Sequence, residues 1–285
     1  MRIASFRRAG IDSYGIVEGE RIVDVGAILR PRFATLRAVL AAAALAELAA
    51  ARTKAPAHAL SAIRFNPVIL DPEKIICSGV NYRLHIEESH VAIPPHPILF
   101  TRFANTLVGH GEPLVKPAAS DQLDWEGELA AVIGTGGRAI PERDALRHVA
   151  GYACFIDASV RDYQAHSFTA GKNFFATGGF GPWLVTADEI PDPQALAIET
   201  RLNGRVMQES PTSAMIFSVA QLVAYVSIVT PLAPGDVIVT GTPGGVGVAR
   251  NPPIFMRPGD TVEIAIPKIG TLRHGIAAEA APRSA

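Results

Sequence analysis

Residues 124–134 read Asp124-Trp125-Glu126-Gly127-Glu128-Leu129-Ala130-Ala131-Val132-Ile133-Gly134. Successive side chains of a strand point to opposite faces, so Glu126 and Glu128 share one face of the predicted strand. The segment runs into Ala-Ala-Val-Ile, which indicates that its far end is buried. Two neighbouring carboxylates near a buried strand end repel each other, and they need protons, basic partners or a metal ion.

A third carboxylate, Asp157, ends a second apolar segment, Phe155-Ile156-Asp157. Three oxygen ligands without a Cys or His cluster suit a hard divalent ion, Mg²⁺ or Mn²⁺, that keeps open positions for water or substrate. The spacing alone also fits a solvated strand face for Glu126 and Glu128, and a cap or turn role for Asp157.

A possible general base lies in the segment Asn81-Tyr82-Arg83-Leu84-His85-Ile86-Glu87-Glu88. On a helix, His85 and Glu88 are three residues apart and share a face. A carboxylate bonded to one imidazole nitrogen fixes the tautomer and raises the basicity of the other nitrogen. An exposed ion pair without function has the same spacing.

Two glycine-rich segments complete the set of candidates. Gly171-Lys172-Asn173-Phe174 places a lysine in an apolar, glycine-flanked loop. The second, residues 241–247, follows an apolar strand and has neither Gly-Lys-Ser/Thr nor a following helix, so we expect no nucleotide site there. Its N–H groups and the Thr242 hydroxyl could reach a carboxylate or a developing oxyanion, although a plain turn has the same composition.

Composition excludes several classes of protein. The chain has 285 residues with 26 Lys+Arg against 27 Asp+Glu, a net charge of −1 that argues against a nucleic-acid partner. Cys77 and Cys154 lie in apolar runs and are expected to be buried thiols in a reducing compartment. The N-terminus has no signal-peptide core, and the Ala-rich segment 36–51 is too short to span a bilayer. We expect a cytoplasmic protein without a membrane segment.

Turns and short strands predominate in the pattern. Gly19 and Asn203-Gly204 predict hairpins, whereas only one later segment has a good helical period, from Met215 to Val226 with Thr212 or Ser213 as its cap. The absence of regular strand–helix alternation predicts an α+β, β-dominant fold rather than a Rossmann fold or a barrel. We place a small N-terminal α/β module at residues 1–70, with a peripheral Ala-rich helix, and a catalytic domain at 71–285.

Taken together, these segments resemble the fumarylacetoacetate hydrolase family. The resemblance covers roughly residues 73–275, and the order of the segments makes it specific. The matching segments are Ser78-Gly79-Val80-Asn81-Tyr82 with His85 and Glu88, 124–134, 157–164, 171–174, Phe180-Gly181-Pro182-Trp183, Asn203-Gly204, Pro234-Gly235-Asp236 and 241–247.

The resemblance implies a mixed β-sheet roll, a homodimer, an Mg²⁺ or Mn²⁺ ion and a place in aromatic catabolism. Arg102 stands where many members have lysine, so contacts with one end of the substrate are expected to differ. His274 stands where asparagine is common. The implied residues are Glu126, Glu128 and Asp157 for the metal, His85, Glu88 and Lys172 for catalysis, and Tyr82, Arg102, Arg161, Gln164, Gly241 and Thr242 for the substrate.

The expected reaction is hydrolysis of a C–C bond in a small β-diketo acid of the acylpyruvate type. In this hypothesis, His85 held by Glu88 activates water, while Lys172, Thr242 and the metal stabilise negative charge on the substrate. The alternatives are decarboxylation of a 2-oxo diacid such as oxaloacetate, and isomerisation or hydration of a 2-hydroxy-dienoate. A non-catalytic binding protein on the same scaffold is a further alternative, because a fold does not determine a reaction.

Overall fold

The computed structural model describes residues 1–280, and strands form most of its regular structure. The strands are β1 (Arg2–Arg8), β2 (Ile11–Glu18), β3 (Arg21–Val23), β4 (Ala57–Ala59), β5 (Arg64–Phe65), β6 (Ile75–Gly79), β7 (Ile98–Thr101), β8 (Leu107–Val108), β9 (Leu114–Lys116), β10 (Leu123–Asp124), β11 (Gly127–Ile133), β12 (Val149–Asp157), β13 (Ser159–Val160), β14 (Gly178–Thr186), β15 (Ala197–Leu202), β16 (Arg205–Pro211), β17 (Val237–Val239), β18 (Thr261–Ile266) and β19 (Gly270–Ala278).

The helices are short and lie between the strands. They are α1 (Gly26–Leu29), α2 (Leu36–Ala41), α3 (Leu45–Ala51), α4 (Arg83–Ser89), α5 (Glu142–Ala145), α6 (Arg161–Gln164), α7 (Phe168–Lys172) and α8 (Val219–Val229). None of the helices within residues 1–280 is long and apolar enough to cross a membrane.

Three sheets organise the chain. A 12-stranded sheet has the order β4-β3-β2-β1-β14-β12-β11-β17-β6-β7, with β5 beside β1 and β8 beside β14. A 5-stranded sheet has the order β16-β15-β18-β19-β9, and β10 pairs with β13. Three pairs, β17–β6, β14–β8 and β19–β9, are parallel, whereas neighbours such as β11 and β12 are antiparallel. The prediction of a mixed, β-dominant fold is confirmed.

Strand β11 is central and buried on both faces. Leu129 and Ile133 pack into a core shared with α8 and the 5-stranded sheet, whereas Ala130 and Val132 face a second core. Because side chains alternate along a strand, Glu128 points to the same face as Ala130 and Val132. The face of the strand that carries Glu128 is therefore buried, and the solvated alternative for Glu126 and Glu128 does not hold.

The Ala-rich segment differs from its prediction. We expected one peripheral helix with little core contact, but two helices, α2 and α3, are separated by a break at 42–44. Leu36, Val39 and Leu48 are buried in the second core. The break resets the helical phase, so that each short helix presents its own apolar stripe. Strand β1 also pairs with β14 in the large sheet, and the domain boundary at residue 70 stays a prediction.

The two hairpins are confirmed, with Val17 opposite Ile22 and Leu202 opposite Arg205. The prediction that Thr212 or Ser213 caps the later helix was wrong. Helix α8 begins at Val219, because Ser218 and Gln221 form a reciprocal capping box that satisfies the first free N–H groups. Met215 therefore lies before the helix, in the loop that follows a 3₁₀ turn at Thr212–Ala214.

Candidate metal centre

The three predicted metal-binding carboxylates meet at one end of the β11–β12 pair. In this register Glu128 lies opposite Phe155, and the N–H of Asp157 donates to the carbonyl oxygen of Glu126 over 2.9 Å. Residues paired across an antiparallel ladder point to the same face. One oxygen from each of Glu126, Glu128 and Asp157 lies within 4.8 Å of the others, and all three residues are buried.

Lys172, at the end of α7, compensates two of these charges. Its Nζ donates to Glu126 Oε2 over 2.5 Å and to Asp157 Oδ2 over 2.7 Å. Burial alone would raise the pKa of Glu126, but the charges of Lys172 and Arg161 lower it to about 2. Burial acts against the charged form of Lys172, and the same carboxylates outweigh it and raise the pKa of the ammonium group. Lys172 is thus a fixed counter-ion of the cluster.

Glu128 has no such compensation. Among residues 1–280 no lysine or arginine forms a salt bridge with it, and the backbone N–H of Gly241 donates to its Oε2. Burial and the charges of Asp157 and Glu126 raise the pKa of Glu128 well above its usual range. A divalent cation would remove this penalty, and three carboxylates are the hard oxygen ligands that Mg²⁺ and Mn²⁺ prefer. The residues present therefore fit a metal of this type.

The predicted His85–Glu88 pair forms on α4. His85 Nδ1 lies 2.7 Å from Glu88 Oε1, and Glu88 Oε2 accepts the N–H of Gly245 over 2.8 Å. This second contact fixes the carboxylate and, through it, the imidazole ring. His85 lines the same cavity as Glu126 and Glu128, with its Nε2 available to a bound molecule.

Arg161 and Gln164 lie at the start and end of α6, and both line the cavity. Arg161 Nη1 lies 2.7 Å from Gln164 Oε1 and from Glu126 Oε1. Its Nε donates to Asp124 Oδ2 over 2.8 Å, whereas Nη2 is buried and has no hydrogen-bond partner within the described residues. Nη2 therefore keeps unused N–H groups on a residue that lines the cavity.

The cavity has a volume of about 200 Å³, which suits a small acid. Its buried end holds the acidic residues and Lys172, and its more exposed side holds apolar side chains that the sequence analysis missed. Single apolar residues in loops give no pattern that could have revealed them. These residues are Phe100, Val91, Phe168 and Val248.

Three predicted substrate-binding residues, Tyr82, Arg102 and Gly241, lie outside the cavity lining. Arg102 is fully buried behind Asp157, where Nη1 donates to Asp157 Oδ1 and Nη2 donates to Thr177 Oγ1 over 2.7 Å. Its guanidinium group thus binds Asp157, one of the three candidate metal ligands. Tyr82 is also buried; its hydroxyl has no partner among residues 1–280, and burial raises the pKa of the phenol.

Gly241 and Thr242 lie at the β17 end as predicted, and both are held by the chain itself. Gly241 has φ +95°, and a Cβ there would lie 2.7 Å from Asn81 Cβ, so glycine fits this approach. Thr242 lines the cavity, but its hydroxyl donates to Gly127 O over 3.0 Å and accepts from Gln208 Nε2 over 2.8 Å. Sequence analysis missed Gln208, which joins the 5-stranded sheet to the site.

Comparison with known proteins decides the family. The fumarylacetoacetate (FAA) hydrolase C-terminal family matches residues 74–277. The chain belongs to the fumarylacetoacetate hydrolase family. It is 42% identical over 224 residues to "Oxaloacetate tautomerase FAHD2A, mitochondrial" of Bos taurus, a match that covers 77% of this chain and 71% of that protein.

Solved structures of this family share the fold. A fumarylacetoacetate hydrolase from psychrophilic Exiguobacterium antarcticum superposes with a TM-score of 0.86 at 33% identity, covering 98% of this chain and 100% of that chain. Maleylpyruvate hydrolase from Sphingobium sp. SYK-6, in complex with manganese (II) ion and pyruvate, superposes with a TM-score of 0.82 at 27% identity, with the same coverage. The predicted family and its mixed β fold are therefore confirmed.

Proposed function

We propose that this protein is an Mg²⁺- or Mn²⁺-dependent tautomerase of a small 2-oxo dicarboxylic acid such as oxaloacetate. The main observation behind the proposal concerns His85, whose imidazole has one nitrogen without a hydrogen-bond partner among residues 1–280. It lines the same cavity as Glu126 and Glu128 of the buried carboxylate cluster. The tautomerase name of the bovine relative, 42% identical, supports this reaction over the hydrolysis expected first.

The reaction needs one proton to move between carbon and oxygen. His85 takes the proton from the carbon next to the 2-oxo group and returns it to the oxygen, so the ring ends as it began. Glu88 holds the ring through Nδ1 and stabilises its protonated form. When bound, the ion polarises the 2-oxo group and favours the enolate charge.

Other residues orient the substrate. Arg161, which lines the cavity and keeps Nη2 unpaired among the described residues, would donate an N–H to a substrate carboxylate. Lys172 holds Glu126 and Asp157 in place, and Arg102 holds Asp157 from behind. The cavity of about 200 Å³ admits a four-carbon diacid and limits larger substrates.

A second candidate is the hydrolysis of acylpyruvates, which the maleylpyruvate hydrolase with bound manganese and pyruvate supports. There, His85 would take a proton from water, the hydroxide would attack the distal carbonyl, and the C–C bond would break to give an acid and the enol of pyruvate. Decarboxylation of oxaloacetate uses the same enolate chemistry but needs no attacking water.

Product analysis separates the three reactions. Freshly dissolved oxaloacetate and a panel of acylpyruvates are incubated with Mn²⁺-loaded protein. Loss of the enol absorbance of oxaloacetate without release of pyruvate supports the tautomerase. Pyruvate with bicarbonate supports a decarboxylase, and pyruvate with a second carboxylic acid supports a hydrolase. No reaction with any of these substrates would overturn the proposal.

We also propose that the protein is cytoplasmic, as the sequence pattern suggests, and a homodimer, as the family resemblance implies. Light scattering should then give twice the 30.1 kDa mass of the chain. A mass equal to one chain would contradict the dimer.

A further inference from the structure

Asp124 is a fully buried carboxylate that belongs to neither the metal cluster nor the catalytic pair. It ends β10 and lies opposite Ser159 of β13, two residues before Arg161. The sequence places it directly before Trp125-Glu126, which gives no sign of what its side chain contacts.

Its two oxygens hold two different segments of the cavity wall. Oδ2 accepts from Arg161 Nε over 2.8 Å and from the N–H of Val248 over 2.9 Å. Oδ1 accepts from the N–H of Gly247 over 2.7 Å and from that of Trp125 over 2.8 Å. Arg161 and Val248 both line the cavity, so one carboxylate joins a helix and a loop that border the same ligand space.

The contact with Asp124 determines which face of Arg161 is free. Nε is bonded to Asp124, and Nη1 is bonded to Gln164 and Glu126. Only Nη2 remains without a partner among the described residues, although it is buried. Because the guanidinium group is planar and rigid, fixing Nε and Nη1 also fixes the direction of the Nη2 hydrogens.

We propose that Asp124 is a positioning residue, which orients the Arg161 guanidinium group for a substrate carboxylate and holds Gly247 and Val248 beside the same ligand. This inference rests on the proposed function for the identity of the ligand, a small dicarboxylate. Removing a positioning partner of a ligand-binding group typically weakens binding by about 10–100-fold.

The test is the binding of oxalate to the Mn²⁺-loaded protein, measured by calorimetry. We expect Asp124→Asn to weaken oxalate about 10–100-fold while the affinity for Mn²⁺ alone stays unchanged. In an Arg161→Gln background, Asp124→Asn should have no further effect, because Asp124 acts through Arg161. Asp162→Asn is the matched control, since Asp162 contacts Ser120 rather than Arg161, and it should bind like the wild type.

Equal effects of Asp124→Asn in both backgrounds, or an equal loss of Mn²⁺ affinity, would overturn the inference. If Asp124→Asn does not fold, the oxalate affinity of Arg161→Lys is measured instead. Lysine keeps the positive charge but lacks the planar guanidinium group that Asp124 holds. Wild-type affinity for oxalate in Arg161→Lys would contradict positioning, and weak binding would support it. These binding results do not depend on turnover, so a protein inactive on oxaloacetate would refute the proposed function without refuting this inference.

Discussion

The ammonium group of Lys172 lies 2.5 Å from Glu126 Oε2, and no cationic side chain in residues 1–280 bonds to the neighbouring Glu128. The two glutamates of the metal cluster are therefore electrostatically unlike. Glu126 is neutralised by the chain itself, whereas burial and its acidic neighbours favour the protonated form of Glu128 until a metal ion binds. This difference makes their variants distinguishable.

Replacing each glutamate by glutamine should affect the free energy of unfolding of the metal-free protein differently. Glu126→Gln leaves Lys172 and Arg161 short of a counter-charge and should lower the free energy of unfolding by about 3–5 kcal/mol. Glu128→Gln replaces a carboxyl group whose charged form is disfavoured by burial and by its acidic neighbours, and it should leave that stability unchanged or raise it. Denaturant unfolding in EDTA measures both, and Mn²⁺ calorimetry should show weaker binding in each variant. A larger loss of stability in Glu128→Gln would contradict this assignment of charges.

Lys172→Met tests the counter-ion. Glu126 and Asp157 lose a shared donor, so turnover should fall about 10²–10³-fold. The melting temperature should fall more in EDTA than with saturating Mn²⁺, because the metal replaces the missing positive charge. Lys116→Met is the control, since Lys116 pairs with the exposed Asp121. Unchanged turnover in Lys172→Met would remove Lys172 from the site.

His85→Gln tests the proton-transfer step. Tautomerisation or acylpyruvate hydrolysis should fall about 10²–10⁴-fold, because both reactions need the imidazole base. Decarboxylation of oxaloacetate should retain much of its rate, since no proton has to be taken from water or carbon. Glu87→Gln, on the exposed side of α4, should behave like the wild type. If tautomerisation survives in His85→Gln, another group is the base.

His274 should make stability depend on pH. Its ring is fully buried, its Nδ1 donates to Glu112 O, and burial lowers its pKa to about 4. The unfolded chain binds this proton near pH 6.5, so the unfolded state holds more protons between pH 6.5 and 4. The contribution of His274 to the free energy of unfolding should thus be fully present above pH 6.5. It should fall by up to about 3 kcal/mol as the pH drops to 4.

The measurement is urea unfolding in EDTA from pH 7 to 4 for the wild type and His274→Gln. The variant should lack this part of the pH dependence, whatever its stability at pH 7. Parallel pH profiles for the two proteins would show that His274 titrates normally in the folded state.

The sequence was sufficient to predict the residues that meet at the metal centre. Period-two alternation placed Glu126 and Glu128 on one face, and the end of an apolar run placed Asp157 at a strand end. The ion pairs around them could not be predicted. The contacts of Lys172 with Glu126 and of Gln208 with Thr242 join residues that are 46 and 34 positions apart, and they depend on how separate segments pack.

The same limit explains why the contacts of Arg102 could not be predicted. Its place in the resemblance pointed to the substrate, whereas the folded chain turns its guanidinium toward Asp157 and Thr177. The Ala-rich segment shows a different limit, because a break at 42–44 that no strong signal marks changed the helical phase and brought Leu48 into the core.

The most direct test of a metal-dependent 2-oxo acid enzyme is a Mn²⁺ titration of metal-stripped protein, with heat and oxaloacetate turnover followed in parallel. We expect no turnover before Mn²⁺ is added, and saturation of both signals at one Mn²⁺ per chain. Glu128→Gln should respond only at much higher concentrations. Turnover that persists in the stripped protein, or heat without any gain in turnover, would show that the activity does not depend on a metal ion at this site.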